Sequence, residues 1–153
     1  MAKFEVAEVI PYNVNVVDIK LPRRATQNSA GYDLVTPISV KVPAYGRVLV
    51  PLGITCKMAS YEYLQIVPRS GLANKKGLTV LNTPGTVDAD YYPNSIGVIL
   101  YNSTDKDVFL DKGERVAQAI LQTYGRMEDD NPVEKTREGG FGSTGRSKYV
   151  GTI

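Results

Sequence analysis

Three clusters of polar residues and glycines carry side chains suited to phosphate chemistry. The first, Pro68-Arg69-Ser70-Gly71-Leu72-Ala73, follows an apolar run and can open a short helix. Such a turn aims backbone N–H groups, a hydroxyl and a guanidinium at one point, which suits a phosphate. A polar strand end with a surface arginine has the same composition. The second runs from Asn82 to Tyr91 and places Asp88 and Asp90 at i and i+2. Along an extended chain both carboxylates lie on one side, close enough to share a cation or for one to act as a general base. Turn carboxylates also simply cap backbone groups. The third is Glu138-Gly139-Gly140-Phe141-Gly142-Ser143-Thr144-Gly145, preceded by Arg137. Its glycines let the backbone wrap phosphates closely, Ser143 and Thr144 add hydroxyl donors, and Phe141 offers a ring to cover a base. It is no Walker loop, because no Gly-Lys-Ser/Thr follows at the required spacing. Alone, it reads as a Gly-rich tail.

Composition limits what these clusters can do. The chain has 153 residues with no histidine and one cysteine, Cys56. A Ser-His-Asp or Cys-His site is therefore excluded, as is a zinc cluster of the usual ligands. Hydrolysis must run on carboxylates, arginines, hydroxyls and a hard cation. Cys56, between Ile54, Thr55 and Met58, is expected as a small buried strand residue rather than a nucleophile. The net charge of +2 gives no reason to expect a nucleic-acid partner, so any phosphate site is local. No apolar run approaches the roughly 20 residues that cross a bilayer, and the N-terminus shows no secretion signal. The expected location is the cytoplasm, or that of an infected host if the gene is viral.

The elements that must position these clusters are strands. Runs rich in Val, Ile, Leu, Thr and Tyr recur at Val14–Leu21, Ile38–Val42, Arg47–Ile54, Tyr63–Val67, Ser95–Tyr101, Asp107–Leu110 and Val116–Gln122. Clusters of Pro, Gly, Asn and Asp separate them. At most one short helix is expected, at Gly71–Lys76. The chain reads as one all-β domain, with a β-rich core over 1–124 and a flexible Gly-rich C-terminal arm over 125–153.

In this order the clusters resemble the five motifs of the trimeric dUTPase family, over about residues 21–145. Motif one is similar to Ala30-Gly31-Tyr32-Asp33-Leu34 and motif two to Pro68–Ala73. Motif three is similar to Gly85–Tyr91, motif four to Lys112-Gly113-Glu114-Arg115-Val116-Ala117-Gln118, and motif five to Gly139–Gly145. The resemblance implies a distorted jelly-roll, β-clip fold and hydrolysis of dUTP to dUMP and pyrophosphate with Mg²⁺. It implies Asp88 as the base that activates water for attack on the α-phosphorus, and Tyr91 as the ring that leaves no room for a 2′-hydroxyl. It also implies Asn82 and the hairpin through Gly97 at uracil, beside Thr86 and Val87 of motif three. Arg69, Ser70, Gly71 and Gln118 fall in the phosphate cradle, and Asp33 is the outer-shell carboxylate of the cation. Phe141 falls over uracil, with Gly142, Ser143 and Thr144 beside it. Arg137 reaches the γ-phosphate, with Arg146 as the alternative because Arg137 stands four rather than five residues before the aromatic. The site is implied to be shared in a homotrimer: motifs one, two and four from one chain, three from the next, five from the third. After Tyr91 the stretch Tyr92-Pro93-Asn94-Ser95 is one residue longer than in many relatives.

Two other readings compete. A dCTP deaminase of the same fold needs a glutamate after the motif-three hairpin, and Ile96–Tyr101 contains no acid. Against a binding or regulatory module stand the intact Asp88, Tyr91 and Phe141, which leave room for a second role, and a purely structural jelly roll has no need of Asp88 beside Arg69-Ser70-Gly71.

Overall fold

The computed structural model describes residues 1–130, 137 and 139–141. Its strands are β1 (Lys3–Val6), β2 (Arg23–Arg24), β3 (Tyr32–Val35), β4 (Val40–Val42), β5 (Arg47–Pro51) and β6 (Ile54–Lys57), followed by β7 (Glu62–Val67). The single α-helix among the described residues, α1 (Ser70–Lys76), precedes β8 (Leu78–Val80), β9 (Gly85–Asp88), β10 (Gly97–Asn102), β11 (Val108–Leu110) and β12 (Arg115–Thr123). Two sheets carry the polar clusters, with strand orders β2-β3-β12-β7-β9 and β5-β10-β8. The short pairs β1-β6 and β11-β4 complete an all-β architecture of the jelly-roll type.

Alternation decides which face of each strand is buried. In β10, Val98, Leu100 and Asn102 point inward, and in β7 Leu64 and Ile66 do so. They meet Leu34, Val50, Leu52, Ile54, Leu78, Leu110 and Val116 in one continuous core. Cys56 lies in β6, buried as expected, and burial pushes its thiol up to about 11. The helix begins one residue earlier than the sequence indicates and stops at Gly77, whose φ of 63° is the left-handed conformation that ends helices at glycine.

The run Val14–Leu21 is not a strand. Asn15 accepts a hydrogen bond from the Val17 N–H and starts a single 3₁₀ turn, Val16–Asp18. Side-chain competition for the backbone outweighs the β-branched composition there. Arg47–Ile54 is likewise interrupted: Gly53, with φ 69°, separates β5 from β6, so the run serves two sheets.

Asn102 is the polar centre of the core. Fully buried, it donates from Nδ2 to the carbonyls of Val42 (3.1 Å) and Lys106 (2.7 Å). Its Oδ1 accepts from the N–H (2.9 Å) and hydroxyl (2.8 Å) of Thr104. Asn102→Ala leaves these groups without partners and is expected to destabilise the fold by about 3 kcal/mol. Urea unfolding checks this, and a loss below about 1 kcal/mol would contradict it.

Candidate active site

The chemistry-bearing residues fall into two groups at different ends of the five-stranded sheet. One group is set by cross-strand register. Asp33 of β3 stands opposite Gln118 of β12, and Gln118 stands opposite Val67 of β7, so motifs one and four share one row and motif two begins at the next residue. Gln118 Nε2 donates to the Pro68 carbonyl at 3.0 Å. Its side chain lies so close over Gly31 that any β-carbon at that position would collide with it. Arg69 then turns back across the row, and its Nε donates to Asp33 Oδ1 at 2.9 Å. Arg115 Nη1 donates to Asp33 Oδ2 at 3.2 Å. Arg115 joins this group although the sequence reading leaves it out; it sits inside motif four, and only the register with β3 shows that it shares Asp33 with Arg69. Glu114 completes the frame by accepting from the Asp111 N–H (3.0 Å) and from Lys76 of α1 (3.1 Å). The first of these bonds, more than the second, holds its carboxyl below the usual glutamate range. Ser70 and Gly71 open α1 beside this row, and a β-carbon at Gly71 would meet nothing within 4 Å. That face is open to a ligand.

The other group surrounds a small cavity between β9 and β10. Asn82, Gly85, Thr86, Val87, Asp88, Tyr91, Gly97, Arg137 and Phe141 line it, with Ile66, Val80, Ile96 and Val98 as its apolar wall. Its volume is about 160 Å³, below the 300 Å³ or more typical of sites that bury a whole drug-sized ligand. It has room for a small flat ring and no more. Antiparallel pairing determines the polarity of the cavity. Leu81 N donates to Ile99 O, so Ile99 bonds toward β8. Two residues earlier, Gly97 presents its own N–H and C=O to that same side. There β8 has already ended at Val80, leaving this donor–acceptor pair facing the cavity.

Tyr91 closes the side next to Asp88. It ends a 3₁₀ turn, Ala89–Tyr91, and its hydroxyl donates to the Ser95 carbonyl at 2.9 Å. The N–H and side-chain amide of Asn94 both donate to the Tyr91 carbonyl, each at 2.9 Å. The stretch Tyr92–Ser95 is thus folded into a turn. Tyr92 points away, its hydroxyl donating to Glu5 of β1 at 3.2 Å. Burial raises the Tyr91 hydroxyl above the ordinary tyrosine value, opposed in part by Arg137.

Arg137 and Phe141 meet this second group within one chain. Arg137 bonds Asp88 through Nη2 and Asp90 Oδ1 through Nε at 2.9 Å. Its ordinary value is raised, chiefly by the hydrogen bond to Asp90. A β-carbon at Gly140 would come within 2.5 Å of the Tyr91 ring, and one at Gly97 within 3.2 Å of Phe141 Cζ. Both glycines are there for close approach. Gly142, Ser143, Thr144 and Arg146 lie outside the described residues.

The two groups do not meet in a single chain. Asp88 stands opposite Tyr63 at the start of β7, with Ile66 opposite Gly85. Arg69 lies six residues beyond Tyr63 in the same direction, roughly 20 Å at the strand rise. Within one chain, Asp88 and Arg69 therefore stand far apart along the sheet.

The all-β fold thus carries a small cavity with a carboxylate at its mouth and, elsewhere on the same sheet, an arginine beside a hydroxyl. Residues 17–145 match the model of the dUTPase family. The chain is 45% identical over 134 residues to the deoxyuridine 5′-triphosphate nucleotidohydrolase of Rickettsia canadensis, covering 82% of this chain and 88% of that protein. It is 45% identical over 133 residues to the protein of the same name from a Hydrogenobaculum species, covering 84% and 92%. Among solved structures, the Streptococcus mutans dUTPase superposes with a TM-score of 0.72 at 34% identity, covering 82% of this chain and 98% of that one. A dUTPase of S. aureus phage phi11, studied for its coordination of a structural Mg(II) ion, shares the fold at a TM-score of 0.72 and 15% identity. The chain belongs to the dUTPase family.

Proposed function

We propose that this chain hydrolyses dUTP to dUMP and pyrophosphate, keeping uracil out of DNA and supplying dUMP for thymidylate synthesis. The observation that carries this reading is the Gly97 donor–acceptor pair, which faces a one-ring cavity beside Asn82 and opposite Phe141. Uracil presents a neighbouring N–H and carbonyl on one edge, the complement of what Gly97 and the Asn82 amide offer. The apolar wall stands where a 5-methyl group would have to go, and cytosine reverses donors and acceptors on its edge. An unpaired polar group in such a cavity is rejected strongly. Tyr91, pinned through its hydroxyl, leaves the sugar no space for a 2′-hydroxyl.

Asp88 acts as the general base: its carboxylate, about half exposed at the end of β9, orients and deprotonates the water that attacks the α-phosphorus. Thr86 and Val87 shape the strand that carries it. Arg69, Ser70, Gly71 and Gln118 hold the phosphates, with Gly142, Ser143 and Thr144 closing from the arm. Charge developing on the phosphate oxygens is stabilised by donors already in place.

The donor set fits a Mg²⁺ ion held mainly by phosphates and water. Among the described residues no group of three or more Asp, Glu, Cys or His side chains is placed to hold a metal. Asp33 is the carboxylate available beside the cradle. Each of its oxygens accepts one arginine hydrogen bond and keeps acceptor capacity for a metal-bound water. The cation, when bound, neutralises phosphate charge.

The roughly 20 Å between Asp88 and Arg69, reckoned from the strand rise, favours a homotrimer in which one chain supplies motifs one, two and four and the next supplies motif three. The contacts that Arg137 and Phe141 make within one chain are then made by the arm of the third. Val9, Tyr12, Val16 and Val17 are exposed and give neighbouring copies apolar surface to cover. No helix of the described residues is long and apolar enough to cross a membrane, and the proposed setting is the cytoplasm, with no nucleic-acid partner. Pyrophosphate release from dUTP, dCTP, dTTP and UTP with Mg²⁺ tests the reaction. Turnover of dUTP alone is expected; turnover of dCTP or none at all would overturn the reading.

A further inference from the structure

Asp90 takes no part in the proposed hydrolysis, yet its carboxylate holds the arm. Arg137 engages all three of its nitrogens: Nε on Asp90 at 2.9 Å, Nη2 on Asp88, and Nη1 on the Gly139 carbonyl at 3.3 Å. The arginine side chain is only 19% exposed, and among the described residues neither carboxylate bonds any other cation. The two acids are spaced by the 3₁₀ turn that Tyr91 and Asn94 fasten from below, so their separation is fixed by the backbone rather than by the arginine.

A guanidinium is a rigid planar fork. With Nε held by one carboxylate, the Nη groups can exchange the other carboxylate for a phosphate by a small swing of the fork, without the arm leaving its place. We propose that Asp90 is the positioning residue that presents Arg137 to the terminal phosphate, and that Asp88 Oδ2 stays covered by Nη2 until a triphosphate draws it away. Triphosphate arrival and release of the base then become one event. A terminal phosphate offers more charge and more acceptor oxygens than the carboxylate it displaces. A monophosphate has nothing at that distance to offer. Asp90 thus sets a preference for the full triphosphate over shorter nucleotides that the one-ring cavity does not explain.

This inference rests on Asp88 as the base and Arg137 at the γ-phosphate, and the test separates those readings from it. Binding of α,β-imido-dUTP and of dUMP is measured by calorimetry for the wild-type protein, Asp90→Asn and Asp90→Glu, with steady-state kinetics on dUTP. For Asp90→Asn, affinity for the triphosphate analogue is expected to fall about tenfold, as for one charge-assisted hydrogen bond. Affinity for dUMP is expected to stay within twofold, and the kinetic loss to appear in KM rather than kcat. Asp90→Glu is expected to recover part of the loss. Equal losses for both ligands would mean that Asp90 only supports the turn, and no loss for either would mean that it holds nothing; both results overturn the proposal. Undiminished turnover by Asp88→Asn would instead remove the base reading, while the contrast between triphosphate and monophosphate would still report on Asp90.

Discussion

Asp88→Asn is expected to lower kcat for dUTP by about 10³-fold and to leave KM within a few-fold of wild type. An amide of the same shape keeps a hydrogen bond to the attacking water but cannot take its proton, and loss of a general base typically removes 10²–10⁴ in rate. Arg137 keeps its place because it retains Asp90 through Nε at 2.9 Å. Substrate affinity therefore changes little, and the loss falls on the chemical step. The fold tolerates the change, since Asp88 ends its strand and its side chain is 47% exposed. A rise in KM at constant kcat would make Asp88 an anchor for Arg137 and nothing more.

Ending the chain after Lys135 is expected to reduce kcat/KM by about 10³-fold without altering the unfolding midpoint. The shortened protein lacks Arg137 and Phe141. It loses a charge-assisted contact worth about 2 kcal/mol and a ring that shields the one-base cavity from water, worth about as much again. Together these correspond to roughly three powers of ten. Stability is spared because, among the described residues, the buried core is drawn from residues up to Ala119 and the last strand ends at Thr123. Tyr124 is itself tied back, its N–H to Tyr61 O at 3.1 Å and its hydroxyl to Ser60 O at 2.8 Å. Thermal unfolding and steady-state kinetics on the same preparation check both halves. A truncated protein that unfolds early would place the arm in the core, and one of full activity would leave it without a role.

Three clusters are legible in the sequence because each concentrates residue types with a narrow use: paired carboxylates, a guanidinium beside a hydroxyl, glycines around an aromatic; Ala30–Leu34 and Lys112–Gln118 stand out only through the family resemblance. The long strands β7, β10 and β12 are legible for a similar reason, since alternating burial leaves a period of two. Of the short strands, β4 and β11 fall inside the runs Ile38–Val42 and Asp107–Leu110, while β8 and β9 do not stand out. Leu78–Val80 and Gly85–Asp88 have too few residues to show a period, and they exist because β10 and β7 offer them an edge. Val14–Leu21 has the composition of a strand but no partner, so Asn15 turns it into a 3₁₀ turn. Arg115 escapes because its role is to share Asp33 with Arg69, a relation between residues 82 positions apart in sequence. The division of the site into two groups is invisible for the same reason. It follows from the direction of β9 against β7, which only the register supplies.

That division is tested most directly by mixing two inactive chains. Asp88→Asn and Arg69→Ala are unfolded together in equal amounts, refolded, and assayed for pyrophosphate release from dUTP with Mg²⁺. If each site takes Asp88 from one chain and Arg69 from another, random assembly leaves both intact at about a quarter of the sites, so about a quarter of wild-type activity should return. Activity no greater than that of the two variants kept apart would show that a single chain builds the whole site, and would contradict a site shared between chains.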